Sequence, residues 1–254
     1  MTITFVSLNL WHGGQLLPAP YDFLKQQNAD IVALQEVYNG EDQDIPEQYR
    51  SMEVLKRELG LPYADFVPDY LDFDRTNGKA QRGNAIVSRF PITAYPPMYF
   101  NEPYSETYRD VPAEFPNCPR SLQRVSLATP AGDVNVFNIQ GVWDLDGDNF
   151  SQKRENMANM VVSAIQGLPN VILAGDTNAK PTNKAIKLIE EHLKNVFTQN
   201  PISTFNMRRK DNPGYATAAV DMILVSPNIT VLSSECPDVD ISDHLPLVAK
   251  LEIK

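Results

Sequence analysis

The sequence predicts an α/β fold in which two β-sheets pack face to face and helices cover the outside. Many short strand candidates run through the chain, and several are apolar on both faces, so they need cover on both sides. A few helix candidates fall between them. Several connections are tight, which lets neighbouring strands run antiparallel.

The strand candidates, in order, are Ile3–Leu10, Ile31–Gln35, Ala85–Ser88, Gln123–Ala128, Val134–Gln140, Val171–Ala174, Val220–Val225 and Pro246–Ile253, several of them rich in Val and Ile. The helix candidates have end signals. Tyr21–Gln27 follows Pro20, a good first-turn residue, and Met52–Leu59 stops at Gly60, a suitable C′ glycine. Gln152–Gln166 follows Ser151 as an N-cap. Asn183–Lys194 carries Ile186, Ile189 and Leu193 on one face. Segment Tyr95–Pro119 holds six prolines among aromatics without a clean period, and reads as a long, ordered surface loop. No repeat of fixed period is visible, and one domain over 1–254 is expected.

With 43% hydrophobic and 21% charged residues in 254, disorder, collagen and coiled coil are excluded. The 22 Lys+Arg against 32 Asp+Glu leave a net charge of −10, which disfavours non-specific binding to nucleic acid or an anionic membrane. It does not exclude a polyanionic substrate held by a few local cations or a metal. The only cysteines, Cys118 and Cys236, have no metal-type spacing and read as free thiols, with one disulfide as the alternative. The first residues enter a strand without a basic leader, so a cytoplasmic location is expected. No apolar run approaches the ~18 residues of a membrane span.

The informative pattern is polar residues at the ends of apolar strands: Asn9, Glu36, Gln140, Asp176 with Asn178, Asp221, and Asp243 with His244. A carboxylate or amide there costs several kcal/mol unless it is hydrogen-bonded, ion-paired or metal-bound. Any one of them could cap a turn, but six strands ending this way point to a ligand site at one end of the sheets. Glu36 and Asp243 are hard oxygen ligands suited to Mg²⁺ or Mn²⁺, and no Cys/His cluster for zinc exists. One histidine, several carboxylates and several amides suit metal-assisted attack of water on phosphorus. Neither G-x-S-x-G nor a Gly-rich phosphate loop occurs, which argues against serine hydrolases and nucleotide-cradling folds.

Seven segments then resemble, in order, the endonuclease/exonuclease/phosphatase (EEP) superfamily: SLNLWHGG (7–14), DIVALQEV (30–37), RGNAIVSRFPI (82–92), VNVFNIQ (134–140), LAGDTNAKP (173–181), AVDMILVS (219–226) and ISDHLPLVAKL (241–251). The resemblance implies a four-layer α/β sandwich with two central mixed sheets and a Mg²⁺- or Mn²⁺-dependent hydrolase of phosphoesters. It implies Glu36 as principal metal ligand, with Asn9 beside it on metal and phosphate and Asp243 near a second metal position. Asp176 would orient or deprotonate the water, and Asn178 would bind a phosphoryl oxygen. His244 would donate to the phosphate, with Asp221 orienting it and holding it cationic. Gln140, where many relatives carry His or Tyr, can donate to phosphate but cannot act as a general acid. Trp11 stands where nuclease members often carry an aspartate.

A small or lipid phosphoester is favoured as substrate. An endo- or exonuclease of the same fold and a non-catalytic binding module are the alternatives. Asn84 is a candidate substrate contact or a turn residue. Arg120 and Arg124 read as solvated or ion-paired residues with phosphate binding as the alternative, and Arg208-Arg209-Lys210 as a solvated loop with substrate contact as the alternative. Trp143–Asp148 reads as an acidic turn rather than a calcium loop.

Overall fold

A computed structural model of the chain describes residues 1–144, 150–198 and 201–254. Its strands are β1 (Thr2–Asn9), β2 (Ile31–Gly40), β3 (Tyr63–Leu71), β4 (Ala80–Ser88), β5 (Ile92–Ala94), β6 (Met98–Tyr99), β7 (Ser121–Thr129), β8 (Gly132–Gln140), β9 (Val171–Asp176), β10 (Lys194–Asn195), β11 (Asp221–Val225), β12 (Thr230–Glu235) and β13 (Leu247–Glu252). Its helices are α1 (Trp11–Gly14), α2 (Ala19–Gln27), α3 (Ser51–Leu59), α4 (Phe73–Thr76), α5 (Gln152–Ile165) and α6 (Lys184–Glu190). One six-stranded sheet has the order β12-β13-β1-β2-β4-β3, and a seven-stranded sheet has the order β10-β11-β9-β8-β7-β5 with β6 on β7. Both are mixed: β1–β2 and β8–β9 are parallel, and the other pairs are antiparallel.

The strands apolar on both faces make the layers. On β1, Ile3 and Phe5 face the space between the sheets, while Val6 and Leu8 face α2 and α3. On β9, Ile172 and Ala174 face the same inter-sheet space, while Val171 and Leu173 face α5 and α6. Alternation of side chains along a strand thus gives each central strand two cores. The result is the expected four-layer sandwich of helix, sheet, sheet and helix.

A polar crossbar ties the two sheets. Gln35 Nε2 on β2 donates to Asn138 Oδ1 on β8 at 2.6 Å. Asn138 Nδ2 donates back to Leu34 O (2.9 Å) and Ala85 O (3.0 Å) and to Gln123 Oε1 (3.2 Å). Gln123 Nε2 in turn donates to Asp65 Oδ2 on β3 at 2.8 Å. Asn138, Gln35 and Gln123 are fully buried, and their mutual bonds offset most of the desolvation cost, with Gln35 Oε1 left without a partner.

The end signals hold: Ser151 accepts from Arg154 N at the start of α5, and Gly60 ends α3 at φ 62°. The helix expected over Asn183–Lys194 is shorter. Asn183 caps it by accepting from Ala185 N, it ends at Glu190, and Lys194 begins β10 against Val225. Strands β3 and β12 were not expected. Both are sheet edges; β3 contains Pro68 at a register shift and every residue of β12 is exposed, so neither shows a two-faced apolar run. Segment 95–119 is a loop with internal anchors rather than a surface loop throughout. Met98–Tyr99 pairs with β7, and Tyr108 and Cys118 are buried against Tyr70. Both cysteines are free. Among the described residues no helix is long and apolar enough to cross a membrane.

Candidate active site

The topology brings the polar strand ends to one end of the sandwich. Asn9, Gln140 and Asp176 are the last residues of β1, β8 and β9, and Asp221 is the first of β11. Gln140 sits beside Asp176, and Asp176 beside Asp221, in adjoining ladders. Asp243 and His244 lie just before β13, which runs antiparallel to β1. Glu36 sits on a bulge of β2 between Leu34 and Val37, at φ 59°. Asn178, at φ 50°, is likewise left-handed, and such strain persists where surrounding structure over-determines it. Gly175, before Asp176, has φ 137°, and a Cβ there would lie 2.1 Å from Ile139 O, so only glycine fits.

These residues open on a pocket of about 690 Å³ whose walls include Glu36, Gln140, Asp176, Asn178, Asp243 and His244 under an aromatic rim of Trp11, Phe115, Trp143, Phe205 and Tyr215. His244 Nδ1 and Asp221 Oδ2 are 2.8 Å apart. Burial by itself would push His244 down, but the Asp221 carboxylate, followed by Asp243 and Asp176, outweighs it and the imidazole is pushed up to about 10. His244 is therefore a cation at neutral pH, with Nδ1–H donating to Asp221. Burial pushes Asp176 up to about 6, against the pull of His244. Its Oδ1 accepts from Asn178 N (3.0 Å) and its Oδ2 from Asn9 Nδ2 (3.2 Å). Asn178 Nδ2 donates to Gly141 O at 3.0 Å. Phe205 packs on the His244 ring, with centroids 4.6 Å apart.

Glu36 Oε1 accepts from Arg82 Nη2 (2.8 Å), Gln140 Nε2 (3.0 Å) and Asn9 Nδ2 (3.1 Å). Its Oε2 accepts from His12 N at 2.9 Å. Burial opposes its ionisation, but Arg82 and then His12 and Arg120 hold the carboxyl well below the usual range. Glu36 is thus an anion at the pocket wall, and Gln140 Oε1 beside it is buried without a hydrogen-bond partner. A carboxylate with a neighbouring orphan oxygen suits a hard divalent cation, which commonly takes one or two carboxylates and completes its shell with water and phosphate. Among the described residues Asp176, Asp221 and His244 also converge closely enough to chelate an ion. That group fits less well, because an imidazolium has no lone pair for a metal.

Asp243 and Asn84 depart from the simplest expectation. Asp243 Oδ2 is ion-paired with Lys210 Nζ at 2.5 Å. Asn84 does not line the pocket: its Nδ2 donates to Ser121 O and Oγ, both at 3.2 Å, inside the sandwich. Arg124 is structural, stacked 4.0 Å over the Tyr95 ring. Arg208 and Arg209 are paired with Asp238 and Asp240, leaving Lys210 as the member of that cluster in the pocket. The acidic turn at 143–148 falls mostly outside the described residues. Arg82 and His12 were missed. The signal for Arg82 was a charge entering the apolar run of β4, read only as part of a motif.

Comparison with known proteins follows this geometry. A model of the Endonuclease/Exonuclease/phosphatase family matches residues 6–244. An endonuclease/exonuclease/phosphatase from Beutenbergia cavernae superposes with TM-score 0.76 at 18% identity, over 99% of this chain and 72% of its own. A mannosyl-6-phosphatase from Bacteroides thetaiotaomicron gives 0.69 at 17% identity, over 98% of this chain and 99% of its own. D. rerio TDP2, complexed with a single-strand DNA product, gives 0.67 at 15% identity, over 99% of each chain. No curated protein matches the sequence at a significant level. The structural likenesses speak for the fold, and the family match spans nearly the whole chain: it belongs to the endonuclease/exonuclease/phosphatase family.

Proposed function

We propose that this chain is a divalent-metal-dependent hydrolase of a small phosphoester. The observation that carries the reading is the buried Asp221–His244–Asp176 group on the pocket wall, a fixed cation beside a carboxylate of raised affinity for protons. Asp176 accepts a proton from water at the phosphorus; at about 6 its carboxyl is ionised at neutral pH yet basic enough to act. His244, with Nδ1 committed to Asp221, presents Nε2–H to a phosphoryl oxygen and stabilises charge that develops there. Asn178 holds a second oxygen. Glu36, with Asn9 and Gln140 adjoining, would hold Mg²⁺ or Mn²⁺, which supplies charge neutralisation at the phosphoryl oxygens. Gln140 has no acidic proton, so the leaving group is protonated by another donor or departs as a stable anion.

A compact substrate is supported by the pocket of about 690 Å³ with its aromatic lining and by the net charge of −10, which gives little general grip on a long nucleic acid. Among similar structures one is named a mannosyl-6-phosphatase and one is complexed with a single-strand DNA product. The test is a panel of monoesters, diesters, oligonucleotides and phospholipids with Mg²⁺ and with Mn²⁺. Small-ester turnover that EDTA abolishes, and that Asp176→Asn and Glu36→Gln remove with the fold intact, supports the reading. No metal-dependent turnover on any member of the panel would overturn it, and turnover confined to oligonucleotides would replace it with a nuclease.

A further inference from the structure

We propose that Arg82 and Arg120 form a second anion subsite, so that the substrate is a small molecule with a second anionic group, phosphate or carboxylate, a few bonds from its scissile phosphoester. This deepens, and rests on, the phosphoesterase reading of the adjoining site.

Arg82 is 3% exposed on β4, yet it reaches the pocket wall. Its Nη2 holds Glu36, but Nε and Nη1 are buried with no hydrogen-bond partner. Arg120, ahead of β7, lines the same wall, and its Nε and Nη1 are also buried without partners. Unsatisfied donors on a buried cation are among the most costly groups a protein can hold. A guanidinium N–H donates a charge-assisted hydrogen bond to a carboxylate or phosphate oxygen, so each of these unmatched groups can take one.

The neighbouring acids do not meet this need. Asp110 is ion-paired with Arg75. Asp69 accepts from Ser121 Oγ at 2.6 Å and bonds neither arginine, while its Oδ2 has no partner. Glu36 engages Arg82 through Nη2 alone. Lys210, by contrast, is already neutralised by Asp243.

The spacing limits the ligand. Glu36 Oε1 is 2.8 Å from Arg82 Nη2 and 3.1 Å from Asn9 Nδ2, and that same Nδ2 is 3.2 Å from Asp176 Oδ2. The arginine wall and the water-activating carboxylate are therefore one carboxylate and one amide apart. Two anionic groups joined by a short linker span that gap.

Isothermal titration at neutral pH in EDTA, with inorganic phosphate and with methylene-, ethylene- and propylene-bisphosphonate, tests this. At least one bisphosphonate is expected to bind about tenfold tighter than phosphate, both to the natural chain and to Asp176→Asn. The margin is expected to shrink below about threefold in Arg120→Met and in Arg82→Met, each checked by thermal denaturation; if Arg82→Met fails to fold, Arg120→Met decides. No margin in the natural chain, or a margin that survives Arg120→Met, would sink the subsite. A thymidine dinucleotide bearing a 5′-phosphate that binds as tightly as the best bisphosphonate would overturn the small-molecule assignment. Because the readout is binding, a chain inert on the phosphoester panel can still keep the subsite, and an active chain can still lose it.

Discussion

The pocket has two unlike ends. Asp176, Asp221 and His244 have no buried side-chain oxygen or nitrogen without a partner, and the cation of His244 lies among carboxylates. Arg82 is as deeply buried and Arg120 is half-buried, but two side-chain donors of each have no partner. Under the proposed function the first end is preorganised: its cation and carboxylate are held before a substrate arrives, so little reorganisation is needed as charge develops. The second end is incomplete until something anionic enters. Complete networks set up the chemistry, and incomplete ones show where binding energy is to come from.

The largest effect that would break this contrast is at Asp176. Asp176→Asn keeps the volume and the hydrogen bond from Asn178 N but removes the base, and kcat is expected to fall by about 10³–10⁴-fold with an unchanged circular dichroism spectrum. Asp221→Asn comes next. Without its carboxylate the largest cause opposing burial is gone and the His244 pKa should fall from about 10, so kcat drops by about 10²-fold at neutral pH. Histidine NMR across pH would report it, and an unmoved His244 titration would refute the pairing.

The crossbar between the two sheets can be broken at Asn138. Asn138→Ala orphans the carbonyls of Leu34 and Ala85 and the amide of Gln35, and should cost about 3 kcal/mol in urea unfolding. The smallest effect belongs to Asp69, on the arginine side. Burial pushes it up to about 6, so its favourable contribution is complete below the unfolded value near 3.8 and is lost as pH rises through 6. Asp69→Asn should abolish that pH dependence and raise the free energy of unfolding at pH 8 by on the order of 1–2 kcal/mol, read from urea denaturation. A variant less stable than the natural chain at pH 8 would mean that Asp69 anchors Arg120.

How much of this was legible in the sequence depended on periodicity. Strands such as β1 and β9, apolar on both faces, announced their place between two layers, and the polar residues that ended them marked the site. Edge strands β3 and β12 carried no such signal, because an edge strand has no neighbour to demand apolar cover. Asn84 was misplaced for a related reason: a polar residue in a buried strand serves either a pocket or a crossing to the other sheet, and sequence position does not separate the two. The partnering of Arg82 lay beyond reach, since it depends on which strands adjoin in space. The Asp243–Lys210 pair was hidden likewise, as it joins residues on two loops whose meeting only the fold determines.

The bulge on β2 has a consequence for how such a site can be lost. Ala33 and Gln35 point between the sheets, and Leu34 and Val37 point to the helices, so Glu36 is a supernumerary residue in an otherwise regular alternation. Deleting Glu36 would keep every other side chain of β2 on its present face. The acid thus sits on a detachable unit of backbone, and one codon's deletion would remove the proposed metal ligand while leaving the alternation of β2 in register.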